Sequence, residues 1–330
     1  MVKQKIIKTN HSFPIWLMRQ SGRYLPEYKQ LREKYSFMDI LENPELICYL
    51  TSLPLKYFNL DALIIFSDIS VVFSLIKNTE YTIEDKKGPV VTINDINKIS
   101  LKDESKILEN ISLAIVNIKK QEKLPLIGFT GGLYTTFLYL IKNTNYDKSI
   151  LYSNEDILLI LMEAIYKTLK TQIEAGVDII QIFDTYLFDL SPLDFEFLIL
   201  PIYKILLNKL KQEYSQTPVI FFTLNTINII EYIKDLKIDC LSVDWRKDLN
   251  IYFNNFDGYV QGNLDPHILT IQDRNSFLKI LDLSILRIFS NLNINQNKER
   301  YIFNLGHGLL PNTKIENVKI LIEKLRERSD

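Results

Sequence analysis

The chain of 330 residues is 47% hydrophobic and 24% charged, the balance of a folded protein rather than a disordered one. Its 39 basic and 40 acidic side chains leave a net charge of −1, which excludes a global positive field for nucleic acid or an anionic membrane. The two cysteines, Cys48 and Cys240, stand apart with no partner at metal-ligand spacing, so both read as reduced core residues and no metal pattern emerges.

The N-terminal stretch MVKQKIIKTNHS is basic but lacks the apolar core of a signal peptide, and His11 within it reads as a surface residue. No apolar run approaches the ~20 residues needed to cross a bilayer. A cytoplasmic protein is expected. The first strand is PIWLM at 14–18, and it ends abruptly in Arg19. Arg23 and Arg32 follow, so three of the chain's nine arginines fall within 19–32, although lysine is the usual cation elsewhere. Arginine presents a flat fork of donors that grips carboxylate or phosphate bidentately and stays charged when buried. A solvated basic helix start is the bland alternative. Because Arg19 follows a buried strand directly, an anion site is the better reading.

Asn43-Pro44-Glu45 marks a helix start, with proline in the first turn. ALIIF at 62–66 is the second strand, followed by Ser67 and Asp68. Asp68 then stands at a strand end near the arginines. It is either a structural ion-pair partner or a carboxylate that accepts substrate N–H groups and stabilises developing positive charge. The stretch 82–93 reads as a hairpin around Gly88-Pro89. PLIGF (125–129) is the third strand and leads into Thr130-Gly131-Gly132, glycines without the spacing of a nucleotide loop. Leu161, Ile165, Leu169 and Ile173 recur every four residues, predicting a helix from a cap at Asn154 to Gly176.

DIIQIF (178–183), PVIFFT (218–223), CLSV (240–243), GYVQG (258–262) and YIFNL (301–305) complete eight strands. The polar groups Asp184-Thr185, Asn225, Asp244-Trp245, Asn263-Leu264-Asp265 and Gly306-His307-Gly308 follow them in turn. His267 reads as a helix cap after Asp265-Pro266, whereas His307, between two glycines, is placed to touch a ligand. Eight strands alternating with helices predict a single (β/α)8 barrel over residues 1–330, with its site at the carboxyl ends of the strands. No Ser–His–Asp order, no HExxH and no Cys/His cluster is present, so any chemistry falls to the arginines, a carboxylate and Tyr139.

The segment PIWLMRQSGRYLPEY closely resembles the N-terminal signature of the uroporphyrinogen decarboxylase family, RQAGRYLPEY. The resemblance continues in family order through IIFSD, GFTGG with TFLY, QIFDT with LSP, VDW, QGNLDP, and NLGHG followed by Pro311, Thr313 and Glu316-Asn317-Val318. It implies a (β/α)8 barrel acting as a homodimer without cofactor or metal. The implied reaction converts the four acetate side chains of uroporphyrinogen III to methyls, giving coproporphyrinogen III in porphyrin and haem biosynthesis. The resemblance further implies substrate contacts from Arg19, Gln20, Ser21, Gly22, Arg23, Arg32, Asp68, Tyr139, Thr185 and His307. Asp68 would stabilise a pyrrole-derived cation, and Arg19 is the candidate proton donor.

Two departures stand out. The family's proline before an aromatic residue is Leu133 here. The family's Asp, Ser or Thr, Trp, Ala, Gly reads DTYLF at 184–188. The bulk of Leu187 and Phe188 predicts a narrowed cleft or a loop turned outward.

Overall fold

A computed structural model describes residues 6–84, 87–291 and 297–329. Met1 to Lys5, which open the basic N-terminal stretch, and Asp85-Lys86 of the expected hairpin lie outside the described residues. In chain order the strands are β1 (Leu63–Ile64), β2 (Ile76–Lys77), β3 (Thr79–Glu84), β4 (Gly88–Ile93), β5 (Ser100–Leu101) and β6 (Leu126–Gly131). They continue with β7 (Ile179–Phe183), β8 (Val219–Phe222), β9 (Cys240–Ser242), β10 (Tyr259–Leu264) and β11 (Tyr301–Leu305).

Seven of these form one parallel sheet in the order β1-β6-β7-β8-β9-β10-β11. After β1, sheet order follows chain order, because each strand is joined to the next by a segment that returns the chain on the helical side. Helices Lys106–Gln121, Asp156–Ala175, Leu200–Glu213 and Arg274–Asn291 lie in four of those connections, and Ile315–Ser329 follows β11. The sheet strands are covered on both faces, and this explains their unbroken apolar runs.

Two apolar clusters divide the strands residue by residue. The larger takes Leu126, Ile180, Phe221, Leu241, Tyr301 and Phe303. The smaller takes their neighbours Ile127, Ile179, Ile220, Phe222, Cys240 and Ile302. This is the period-two alternation of a pleated strand. The expected strand 14–18 obeys it too: Ile15 and Leu17 join the first cluster, Trp16 and Met18 the second. The smaller cluster also holds polar groups. Trp16 Nε1 donates to Gln261 Oε1 at 2.8 Å, and Gln261 Nε2 donates to Ser242 Oγ at 2.9 Å.

Segment 14–18 forms one parallel bridge, Ile15 to Phe303, rather than a full ladder. Phe303 N donates to Pro14 O at 2.9 Å, and on the other side Asp61 N donates to Ile15 O at 2.8 Å. Trp16 N donates to Phe303 O at 3.3 Å, and side chains take two further backbone donors. Ile15 N donates to Asp61 Oδ2 at 2.6 Å, and Met18 N donates to Asn304 Oδ1 at 2.9 Å. Asp61 also pairs with Arg326 of the last helix at 2.8 Å, tying the two chain ends together.

The hairpin is present, with β3 pairing antiparallel to β4 from Thr79–Ile93 to Glu84–Gly88. Asn43 caps its helix as the sequence predicts, accepting from Glu45 N and Leu46 N. Three local expectations are corrected. Asn154 does not cap the next helix, which begins at Asp156; its amide donates to Asn97 Oδ1 at 2.8 Å instead. Asp265, not His267, caps the turn Pro266–Thr270, accepting from His267 N, and His267 is exposed. His11 is half-buried rather than a surface residue.

Candidate active site

A cavity of about 390 Å³ opens at the carboxyl ends of the parallel strands. Its wall is built mainly from the residues after segment 14–18, after β1 and after β11 and from the ends of β6, β7 and β8, with helix side chains and the β3–β4 turn adding to it. Nine of the ten expected contact residues line it: Arg19, Gln20, Ser21, Gly22, Arg23, Asp68, Tyr139, Thr185 and His307.

Arg19 has a left-handed backbone (φ 57°) and reaches across to the β11 loop. A Cβ at Gly308 would stand 2.4 Å from Arg19 Cδ and 2.9 Å from its Nε. That close approach is why glycine follows His307. Gln20 is buried, and among the described residues neither end of its amide has a hydrogen-bond partner, nor has Ser21 Oγ. Unpaired buried polar atoms are costly unless a ligand or water meets them. These two face a cavity where one can.

Asp68 is half-buried and caps the turn Ile69–Leu75, accepting from Ser70 N at 2.9 Å. The acid therefore carries the bland structural role and a place in the cavity at once. Tyr139 has its pKa pushed up to about 12, by burial first and then by Tyr186 and the Asp68 charge. His307 is pushed down to about 4, chiefly by burial and next by the Arg19 guanidinium. At neutral pH the cavity therefore presents a protonated phenol and a neutral imidazole.

Arg32 is the exception among the expected contacts. It does not line the cavity; it lies on helix Pro26–Lys34, donates to Tyr35 O at 2.6 Å and stacks over Phe37, itself a wall residue. The polar groups after β9 and β10 also stay out of the wall. Asp244 pairs with Arg246 and accepts from Asn225 N, while Asn263 donates to the carbonyls of Asp244 and Lys247. Asp184 is fully buried and accepts from Tyr134 N, Thr135 N and the Tyr203 hydroxyl, holding the start of helix Leu133–Ile141.

The larger residues in the departures do not narrow the cavity. Leu187 and Leu133 are buried in the main core, and Phe188 turns outward beside Tyr186 with ring centroids 6.2 Å apart. Sequence reasoning missed two parts of the wall. The aromatic side chains Phe129, Phe183 and Phe222 close one side. They sit at or near the ends of predicted strands, so a reading of strand-terminal aromatics would have found them. Lys87, Gly88 and Pro89 at the hairpin turn complete the wall, and nothing in their sequence signals that destination. Among the described residues no three His, Cys, Asp or Glu side chains come together as a metal set.

A parallel α/β fold with an arginine-flanked cavity at its strand ends is the arrangement of a substrate-binding enzyme. Comparison with known proteins makes this specific. The profile of the family described as uroporphyrinogen decarboxylase (URO-D) matches residues 7–328, and the chain belongs to that family. Uroporphyrinogen decarboxylase of Aquifex aeolicus is 33% identical over 95% of this chain and 93% of its own. The enzyme of Chlorobium chlorochromatii is 36% identical over 96% and 93%. Among solved structures, a methyltransferase from Methanosarcina mazei superposes with a TM-score of 0.76 at 17% identity, covering 97% of this chain and 95% of that one. At that identity the likeness is one of fold.

Proposed function

We propose that this chain decarboxylates uroporphyrinogen III, converting its four acetate side chains to methyls and yielding coproporphyrinogen III on the route to haem. The observation that carries the reading is the convergence of Arg19, Arg23, Asp68, Tyr139 and His307, from four distant parts of the chain, on one cavity.

Loss of carbon dioxide from an acetate leaves an electron pair that needs a sink. Protonation of the pyrrole carbon beside nitrogen makes the ring a cation that can accept the pair. The bond to the carboxyl group then breaks, carbon dioxide leaves, the methylene carbon takes up a proton, and the ring gives one back. Each turnover consumes one proton overall. Asp68 carries its negative charge where the cation develops and accepts the pyrrole N–H groups, in a cavity whose aromatic wall limits water. The neutral state of His307 matters here, because a cationic imidazole would oppose the developing charge.

Arg19 and Arg23 grip substrate carboxylates, and Arg19 is assigned proton delivery. Gln20, Ser21 and Gly22 line the same loop, Thr185 and Tyr139 contact the macrocycle, and Arg32 supports the rim from behind Phe37. We assign the fold as a closed (β/α)8 barrel with segment 14–18 as the eighth strand. One domain from 1 to 330 is supported by the single large core cluster that runs from Phe13 to Leu325. A cytoplasmic homodimer completes the reading; no described helix is long and apolar enough to cross a membrane.

The test is an anaerobic incubation of the purified protein with uroporphyrinogen III and a chelator, followed by oxidation and separation of porphyrins by carboxylate number. Stepwise appearance of the four-carboxylate product is expected. Tight binding with no product would overturn the enzymatic reading.

A further inference from the structure

The hairpin of β3 and β4 meets the cavity in two ways. Its turn, from Lys87 to Pro89, forms part of the wall. Its first strand carries Tyr81, whose hydroxyl lies 3.1 Å from Ser70 Oγ. Ser70 is buried, and its hydroxyl donates to Asp68 Oδ1, the same oxygen that accepts the Ser70 N–H at 2.9 Å.

A serine hydroxyl has one proton to give. Because that proton goes to the Asp68 carboxylate, Tyr81 must be the donor toward Ser70. The chain of bonds thus has one direction, from Tyr81 through Ser70 to Asp68 Oδ1. Burial, and then the Asp68 charge, push the Tyr81 pKa well up, so the phenol keeps its proton. Its ring packs against Phe73 at 6.1 Å, which fixes the hydroxyl in place. Both bonds to the carboxylate fall on Oδ1, and Oδ2 has no hydrogen bond to any described residue.

We propose that Tyr81, acting through Ser70, is a positioning residue that locks Asp68 Oδ1 and so turns Oδ2 toward the substrate N–H groups. The inference rests on the decarboxylase reading and extends it to a hairpin far from the arginines in sequence. The orientation of the carboxylate thereby becomes tied to the element that forms the cavity wall. A carboxylate held in one orientation needs no reorganisation as the cation forms.

The experiment compares wild type, Tyr81→Phe, Ser70→Ala and the double variant, each assayed on uroporphyrinogen III with melting temperatures measured alongside. Ser70→Ala removes the charge-assisted bond, and kcat should fall about tenfold with KM changed far less. Tyr81→Phe, which deletes one oxygen and keeps the ring, should lower kcat about threefold with its melting temperature held. The double variant should match Ser70→Ala alone, because Tyr81 acts only through Ser70. Multiplicative losses in the double variant, equal falls in kcat/KM and melting temperature, or an unchanged kcat in Tyr81→Phe would overturn the inference while wild-type turnover stands. Absence of wild-type turnover would overturn the decarboxylase reading and this role with it.

Discussion

At His307 the surroundings act against a positive charge. Burial, then Arg19, Arg246 and His267, bring its pKa from the ordinary 6.5 to about 4. The unfolded chain therefore binds a proton that the folded chain refuses between those two values. The stabilising contribution of the neutral ring is fully present above pH 6.5 and is lost as pH falls toward 4. A His307→Asn variant should lose less denaturant resistance than wild type between pH 7 and pH 4.5. In an NMR titration the wild-type imidazole should remain neutral to about pH 4; a midpoint near 6.5 would contradict this. Gly308 makes a second prediction at the same scale. The Cβ of Gly308→Ala would lie 2.4 Å from Arg19 Cδ, so the guanidinium must move while the backbone of the loop can stay. The kcat/KM for substrate should fall at least about tenfold, since misplacing a group by ~1 Å can cost up to about 100-fold, with little change in melting temperature.

Among elements, the seam at segment 14–18 depends most on single side chains. Asp61 is 9% exposed; it accepts from Ile15 N and Thr9 Oγ1 and pairs with Arg326. Asp61→Ala would leave a strand donor without its acceptor and take the carboxylate from a mostly buried guanidinium, which keeps Asn59 O; it should destabilise the fold by about 2 kcal/mol in urea unfolding. A loss under ~0.5 kcal/mol would show that water replaces the carboxylate at no cost. The same seam shows where the sequence was legible and where it was not. Seven of the expected strands are visible as apolar runs because both faces are buried, and their chain order set the sheet order. The eighth, Ile15 to Met18, was legible as a short apolar run; its alternation between the two clusters was not, since all four side chains are apolar. Its pairing was not, since Asp61 and Asn304 take donors that a ladder would use, and side-chain capture across 46 and 286 residues leaves no local pattern. Arg32, expected among the contacts, does not line the cavity, for a related reason. Its helix, Pro26–Lys34, begins soon after Arg23 and turns its guanidinium to Tyr35 O and Phe37. Asp68 and His307, which follow strand ends within four residues, lie in the cavity wall where the sequence put them. The hairpin turn was recognised as a turn, yet its place over the cavity is set by tertiary packing of Tyr81 on Phe73 and Ser70.

For the whole molecule, the segment after β7 presents Tyr186, Phe188, Leu193 and Phe197 to solvent, with Leu193 63% and Phe197 67% exposed. Leu193 and Phe197 are four residues apart in a helical stretch and so share a face. Aromatic residues gathered on an exposed face are the composition of a protein interface. If the homodimer forms through this face, Phe197→Asp should convert the dimer to monomer in sedimentation velocity at micromolar concentration; an unchanged dimer would place the interface elsewhere.

In the proposed mechanism Asp68 stabilises a cation formed at the mouth of the strands. Asp68→Asn keeps one acceptor for Ser70, so the turn it caps should survive, while the charge is lost and the second oxygen becomes an amide donor. Wild type and variant would be compared anaerobically on uroporphyrinogen III, with kcat and KM determined separately for each. The kcat should be at least about 100-fold lower in the variant, with KM changed less than tenfold, as expected when a preorganised charge is lost. A variant that turns over at the wild-type rate would show that the carboxylate only caps a turn.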